Sequence, residues 1–133
     1  MDRLACYYLE KGYNCFQCIL KAAEEYFHHP LSEQMINSCC GMKNGLGIGS
    51  VCSALSAGVM VLGLFLTPEQ VKKERIKLLA DCAEMFGNIN CVLLSDADDE
   101  FCRDIISFTA CETAKAVLKY RPDLQPSVSL ESE

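Results

Sequence analysis

The stretch Ser50-Val51-Cys52-Ser53-Ala54-Leu55-Ser56-Ala57-Gly58-Val59-Met60-Val61-Leu62-Gly63-Leu64-Phe65-Leu66-Thr67-Pro68-Glu69-Gln70 decides the fold. From Val51 to Leu66 nearly every helical face is apolar, which predicts a helix at the centre of the protein. The run carries Ser53, Ser56 and two glycines and falls short of the roughly 20 residues that span a bilayer, so the chain is expected not to be membrane-spanning. Ser50 is placed to cap this helix. Thr67 caps the next, with Pro68 at its first position and Gln70 three residues after the cap, so the two helices meet at a sharp boundary.

Outward from that boundary the punctuation continues. Pro68 to Phe86 reads as a helix with Val71, Ile76, Leu79, Ala80, Ala83 and Phe86 on an apolar stripe, stopped by Gly87. On the other side, a short opening helix breaks at Lys11-Gly12, and Asn14 with Gln17 forms the cap of a second helix running to about His28. His29-Pro30 ends it, because the residue before proline disfavours the α region. Ser32 opens a further short helix carrying Cys39-Cys40 and stopping at Gly41. A last long helix runs from Glu100 to about Tyr120 behind the acidic Asp96 to Asp99. No segment alternates with period two. The expectation is an all-α fold, a single compact domain of five to six helices around a central apolar helix (about 51–66), with residues 1–121 as the domain and 122–133 as a flexible polar tail.

Ten cysteines in 133 residues set the chemistry. Met1-Asp2-Arg3-Leu4-Ala5-Cys6 has neither a basic leader nor an apolar run, which predicts a cytoplasmic location. In a reducing compartment, thiols persist because they bind soft metals, react or fill the core, not as structural disulfides. The net charge of −6 and the lack of Lys/Arg clusters exclude a nucleic-acid surface. Hydrolase and nucleotide chemistry lack their motifs: there is no Ser-His-Asp order, GxxxxGK or HExxH. His28-His29 sit at a helix end, where imidazole can pair with terminal carbonyls or ligate a metal.

Cys15-Phe16-Gln17-Cys18 is a CxxC whose sulfurs share one helical face, suited to a redox pair, to chelation, or to core packing. Four glycines fall between Gly41 and Gly49, so Gly45, Gly47 and Gly49 are candidates for backbone that closely approaches a cofactor. Cys82 and Cys111 read as structural, and Cys6, near the start, carries no signal.

The series Gly12-Tyr13-Asn14-Cys15, the glycine-rich loop, Cys52-Ser53-Ala54-Leu55-Ser56-Ala57 leading to Leu62-Gly63-Leu64, then Asn90-Cys91 and Cys102, resembles the C-GCAxxG-C-C family of redox-active proteins over about the whole domain. The resemblance implies that Cys15, Cys52, Cys91 and Cys102 are the functional cysteines, and that relatives are associated with iron–sulfur or haem electron transfer and with transporter gene neighbourhoods. Ser53 and Ala57 stand where the family element has glycine, and Cys18 adds a further sulfur.

All four cysteines fall in a predicted first helical turn, where unpaired N–H groups and the positive end of the dipole favour thiolate. Asp98, Asp99 and Glu100 oppose this at Cys102. The expected function is redox chemistry at a four-cysteine site, in one of two forms. In one, the four ligate a metal, an iron–sulfur cluster ahead of zinc; in the other, Cys52 or Cys15 attacks a disulfide that a neighbour, Cys18 included, resolves. The expected partner is a redox protein or a small thiol or disulfide, and a homodimer is the expected alternative to a monomer. The competing reading is a non-catalytic helical module, for example transporter-associated, with packed cysteines.

Overall fold

A computed structural model describes residues 1–42, 51–89 and 99–125, and of residues 99–102 only the helical backbone. Six helices follow one another: α1 (Asp2–Glu10), α2 (Cys15–Tyr26), α3 (Glu33–Asn37), α4 (Ser53–Phe65), α5 (Pro68–Phe86) and α6 (Asp99–Tyr120), with 3-10 turns at Cys40–Met42 and Pro122–Leu124. Among the described residues there is no β-strand, and the fold is a compact all-α domain. Among them, too, no helix is long and apolar enough to cross a membrane. The expected Ser50 cap and residues 126–133 of the expected tail lie outside the described residues.

Two capping boxes fix the starts of α2 and α5. Asn14 accepts from the Gln17 amide at 2.8 Å while Gln17 accepts from the Asn14 amide at 3.1 Å. Thr67 and Gln70 repeat the exchange at 3.3 and 3.0 Å behind Pro68, and Gly87 closes α5 at φ 87°. The helix expected to carry Cys39-Cys40 instead stops at Asn37. The Met35 carbonyl, which a continuing helix would give to the Cys39 amide, takes the Ser38 hydroxyl (2.7 Å) and the Cys39 thiol (3.3 Å), while the Cys39 amide turns to Ile36 (3.2 Å).

α2, α4 and α6 run parallel. At one end, Asn14 Nδ2 donates to the Cys39 carbonyl (3.1 Å) and the Ser53 hydroxyl donates to the Met42 carbonyl, so one short segment ties the starts of α2 and α4. At the other end the Phe27 and Phe65 rings lie 4.9 Å apart, and Arg121 Nη1 donates to the Phe65 carbonyl at 3.3 Å, bringing the end of α6 alongside. α5 returns antiparallel, and the Cys52 amide donates to the Ile89 carbonyl at 2.8 Å. α1 lies antiparallel to α6 through Arg103–Glu10 (3.0 Å) and Ser107–Asp2 (3.4 Å).

The core is built by all three parallel helices, with Ile19 and Leu20, Leu55, Val61 and Leu62, and Ile105, Ile106 and Val117 fully buried. α4 shares the centre with its neighbours, since Met60 is 37% exposed and Gly63 faces outward. Its closest approach to α6 is at Gly58, where a Cβ would lie 2.8 Å from Thr113 Oγ1 and 3.0 Å from Thr109 Cγ2. The hydroxyls of Thr109 and Thr113 are buried there with no hydrogen-bond partner among the described residues.

The stripe on α5 is rotated from the expected one. Glu74, Leu78 and Cys82 face the core, with Val71, Leu79 and Phe86 packed at its edge, whereas Ile76 is 61% exposed and Ala80 and Ala83 lie outside. A charged side chain can join the core face because its partners come with it: Glu74 Oε2 accepts from the Tyr120 hydroxyl at 2.7 Å and from Lys119 at 3.2 Å. Burial pushes the Glu74 carboxyl up, but the bonds from Tyr120 and Lys119 outweigh it and hold it below its ordinary 4.5. A depressed carboxylate contributes stability above its unfolded value and loses it as pH falls through the folded one. The urea midpoint of the wild type is therefore expected to fall more steeply below pH 4.5 than that of Glu74→Gln; parallel curves would show that the cluster contributes nothing.

Candidate functional site

Parallel packing gathers helix starts, and with them sulfur. Cys15 is the first residue of α2, half-buried behind its Asn14 cap. Cys18, one turn on, is fully buried with its thiol 3.5 Å from the Tyr13 carbonyl. Burial, followed by the charges of Cys15 and Cys6, pushes the Cys18 thiol up to about 12. The pair thus combines a partly accessible sulfur at the positive end of a helix with a buried sulfur that stays protonated at neutral pH.

Cys52 caps α4 and is buried. Its neighbour is Cys82, whose thiol lies 3.7 Å from the Asn88 carbonyl and is pushed up to about 11, by burial first and then by the charge of Cys52. Cys39 is also buried and its thiol is pushed up by burial, while the adjacent Cys40 is exposed. The eight cysteines with described side chains are all thiols.

Of the residues expected to form the site, Cys15 and Cys52 therefore open two helices at the same end of the bundle. Cys102 is the fourth residue of the third parallel helix, α6. Cys91, Gly45, Gly47 and Gly49 lie outside the described residues. Among the described residues no three His, Cys, Asp or Glu side chains are grouped to hold a metal ion.

Two sulfurs assigned no role in the sequence stand beside the expected ones. Cys82, read as structural, is in the core and also next to Cys52. Cys6 lies in the middle of α1, beside Arg103 and within electrostatic reach of Cys18. The available signal was its spacing: Asp2, Cys6 and Glu10 recur every four residues and so share one helical face.

Ser53 and Ala57, expected from the sequence to stand where the family element has glycine, are both buried. Ser53 uses its hydroxyl on the Met42 carbonyl, a bond glycine cannot make, and the tight crossing onto α6 is served by Gly58, one residue beyond Ala57.

A family model described as "Putative redox-active protein (C_GCAxxG_C_C)" matches residues 13–116, well over half of the chain and nearly the whole helical bundle. No curated protein and no solved structure matches the chain significantly.

Proposed function

The chain belongs to the C_GCAxxG_C_C family, and on that premise we propose that it is a thiol redox protein whose reactive pair is Cys15 and Cys18. The observation supporting this reading is the placement of Cys15 at the first position of a capped helix, directly over a buried Cys18. The Cys15 thiolate attacks a disulfide RS–SR, forming a mixed disulfide and releasing RS⁻. Cys18 then gives up its proton and attacks Cys15 Sγ, forming the Cys15–Cys18 bond and expelling the second RS⁻. Two thiols are oxidised, one disulfide is reduced, and the protons end on the released thiols. Cys52 is the less accessible candidate, being buried beside Cys82. The resting protein in a reducing cytoplasm is the dithiol.

The test uses reduced protein, purified anaerobically, and one equivalent of oxidised glutathione. The expected result is release of two equivalents of glutathione and loss of two hydrogens within tryptic peptide 12–21, which holds both cysteines. Stoichiometric iron or zinc with cysteines inert to the disulfide would overturn the reading in favour of a metal centre. Inert cysteines without metal would favour a packed helical module.

A further inference from the structure

Between α1 and the start of α2 lies an open hollow of about 460 Å³ lined by Tyr7, Tyr8, Lys11, Gly12 and Tyr13, a volume within the range that takes a small molecule. Its wall is aromatic and pre-formed. The Tyr7 and Tyr8 rings meet edge to face at 5.1 Å, and Tyr8 and Tyr13 at 5.6 Å, so each ring holds the next. The bend that brings Tyr13 back onto α1 is closed by the Tyr13 amide donating to the Tyr8 carbonyl at 3.2 Å and by Gly12 at φ 102°, where an added Cβ would meet nothing within 4 Å.

Lys11 is the charged member of the lining. Its ammonium lies 5.2 Å from the Tyr7 ring centroid, and among the described residues no carboxylate pairs with it. Lys21, above the Tyr8 and Tyr13 rings at 5.4 and 5.8 Å, is already paired with Glu24 at 3.4 Å, and the Tyr8 hydroxyl is taken by Glu25 at 2.7 Å. The groups left to meet a ligand are Lys11 and the hydroxyls of Tyr7 and Tyr13, which make no hydrogen bond among the described residues. An uncompensated ammonium beside two neutral donors suits a carboxylate. The hollow also adjoins the reactive pair. The Cys18 thiol donates to the Tyr13 carbonyl at 3.5 Å, and half-buried Cys15 follows Tyr13 by two residues, so their Cα atoms are at most about 7 Å apart.

Resting on the thiol-exchange reading, we infer that this hollow is the substrate site and that it selects small disulfides carrying carboxylates over neutral ones. A carboxylate of one half of the disulfide sits on the Lys11 ammonium and the Tyr7 and Tyr13 hydroxyls, with its carbon chain along the rings. The sulfur of the seated half meets Cys15. The Cys15 thiolate bonds to it, the S–S bond breaks, and the outer half leaves with the electron pair as RS⁻. Cys18 then gives up its proton and bonds to Cys15 Sγ, and the seated half leaves as the second RS⁻, so two thiols are oxidised and one disulfide is reduced.

The test follows oxidation of the reduced protein by intact mass after acid quenching, with the exposed Cys40 changed to serine throughout. Oxidised glutathione is the carboxylate-bearing disulfide and hydroxyethyl disulfide the neutral one. Lys11→Gln is expected to slow oxidation by glutathione disulfide roughly three- to tenfold and to leave the rate with hydroxyethyl disulfide within about twofold. Lys11→Arg restores the first rate. Lys72→Gln, which removes the same charge from an exposed position on α5, leaves both rates unchanged. S-methylglutathione, which carries the carboxylates but cannot exchange, shifts the Tyr7 and Tyr13 ring signals in NMR spectra of the wild type and not of Lys11→Gln. Equal slowing by Lys11→Gln and Lys72→Gln, or oxidation by glutathione disulfide without any ring shift from S-methylglutathione, overturns the hollow as substrate site and leaves the exchange reading standing. Failure of both disulfides to oxidise the wild type overturns both.

Discussion

In a Cys40→Ser background, Cys15→Ser lowers the rate of glutathione release from oxidised glutathione by at least ~100-fold, because the remaining thiols near it are held protonated. The Cys18 thiol, pushed up to about 12 mainly by burial, stays protonated at neutral pH. Burial likewise suppresses Cys39 and Cys82. Cys40 is removed because it is exposed and would react without belonging to the pair. Cys18→Ser has a different signature: attack proceeds at nearly the wild-type rate, one equivalent of glutathione is released, and a stable Cys15–glutathione adduct accumulates for want of a resolving thiol. Release rates followed by mass spectrometry of the quenched protein separate the two. If Cys15→Ser reacts normally and Cys52→Ser does not, the nucleophile is Cys52 and the proposed pair is wrong.

The second large effect is structural. Gly58→Ala places a methyl group 2.8 Å from Thr113 Oγ1 and 3.0 Å from Thr109 Cγ2, inside the distance real Cβ atoms keep. Neither threonine can swing away readily, since both are β-branched side chains within α6 and almost completely buried. Replacing a helical glycine by alanine normally gains about 1 kcal/mol, whereas overpacking a close crossing costs typically 1–3 kcal/mol. The expected net result is a loss of up to roughly 2 kcal/mol in urea unfolding, or up to about 8 °C in thermal midpoint. Thr113→Ala removes the closest atom together with a buried hydroxyl that has no partner among the described residues, so the double variant should recover most of the loss. A single variant more stable than wild type by the full helix-propensity gain of about 1 kcal/mol would show that α4 and α6 pack less closely than described.

What the sequence made legible was local. The Asn14/Gln17 and Thr67/Gln70 exchanges each depend on four consecutive residues, and both stand where the sequence places them. The apolar run at α4 and the glycine after α5 are equally local signals. The stripe of α5 was misplaced because burial of Glu74 depends on Tyr120 and Lys119, 46 and 45 residues away. The α3 boundary shifted because Ser38 and Cys39 compete for a carbonyl that the helix would have used. The CxxC was legible as a pair on one face, but which sulfur is accessible follows from how α1 and α6 cover α2. Cys6 stayed silent for the same reason: the charge beside it comes from Arg103, which is remote in sequence.

The pinning of α1 onto α6 has a temporal consequence. Asp2 finds Ser107, and Glu10 finds Arg103, across about a hundred intervening residues. While the chain is being synthesised, α1 and α2 emerge long before the helix that closes over them, and Cys6, Cys15 and Cys18 await their final cover. Until Arg103 and Ser107 leave the ribosome, these sulfurs remain open to any oxidant that reaches the nascent polypeptide, and the protein depends on its surroundings to keep them reduced through its own birth.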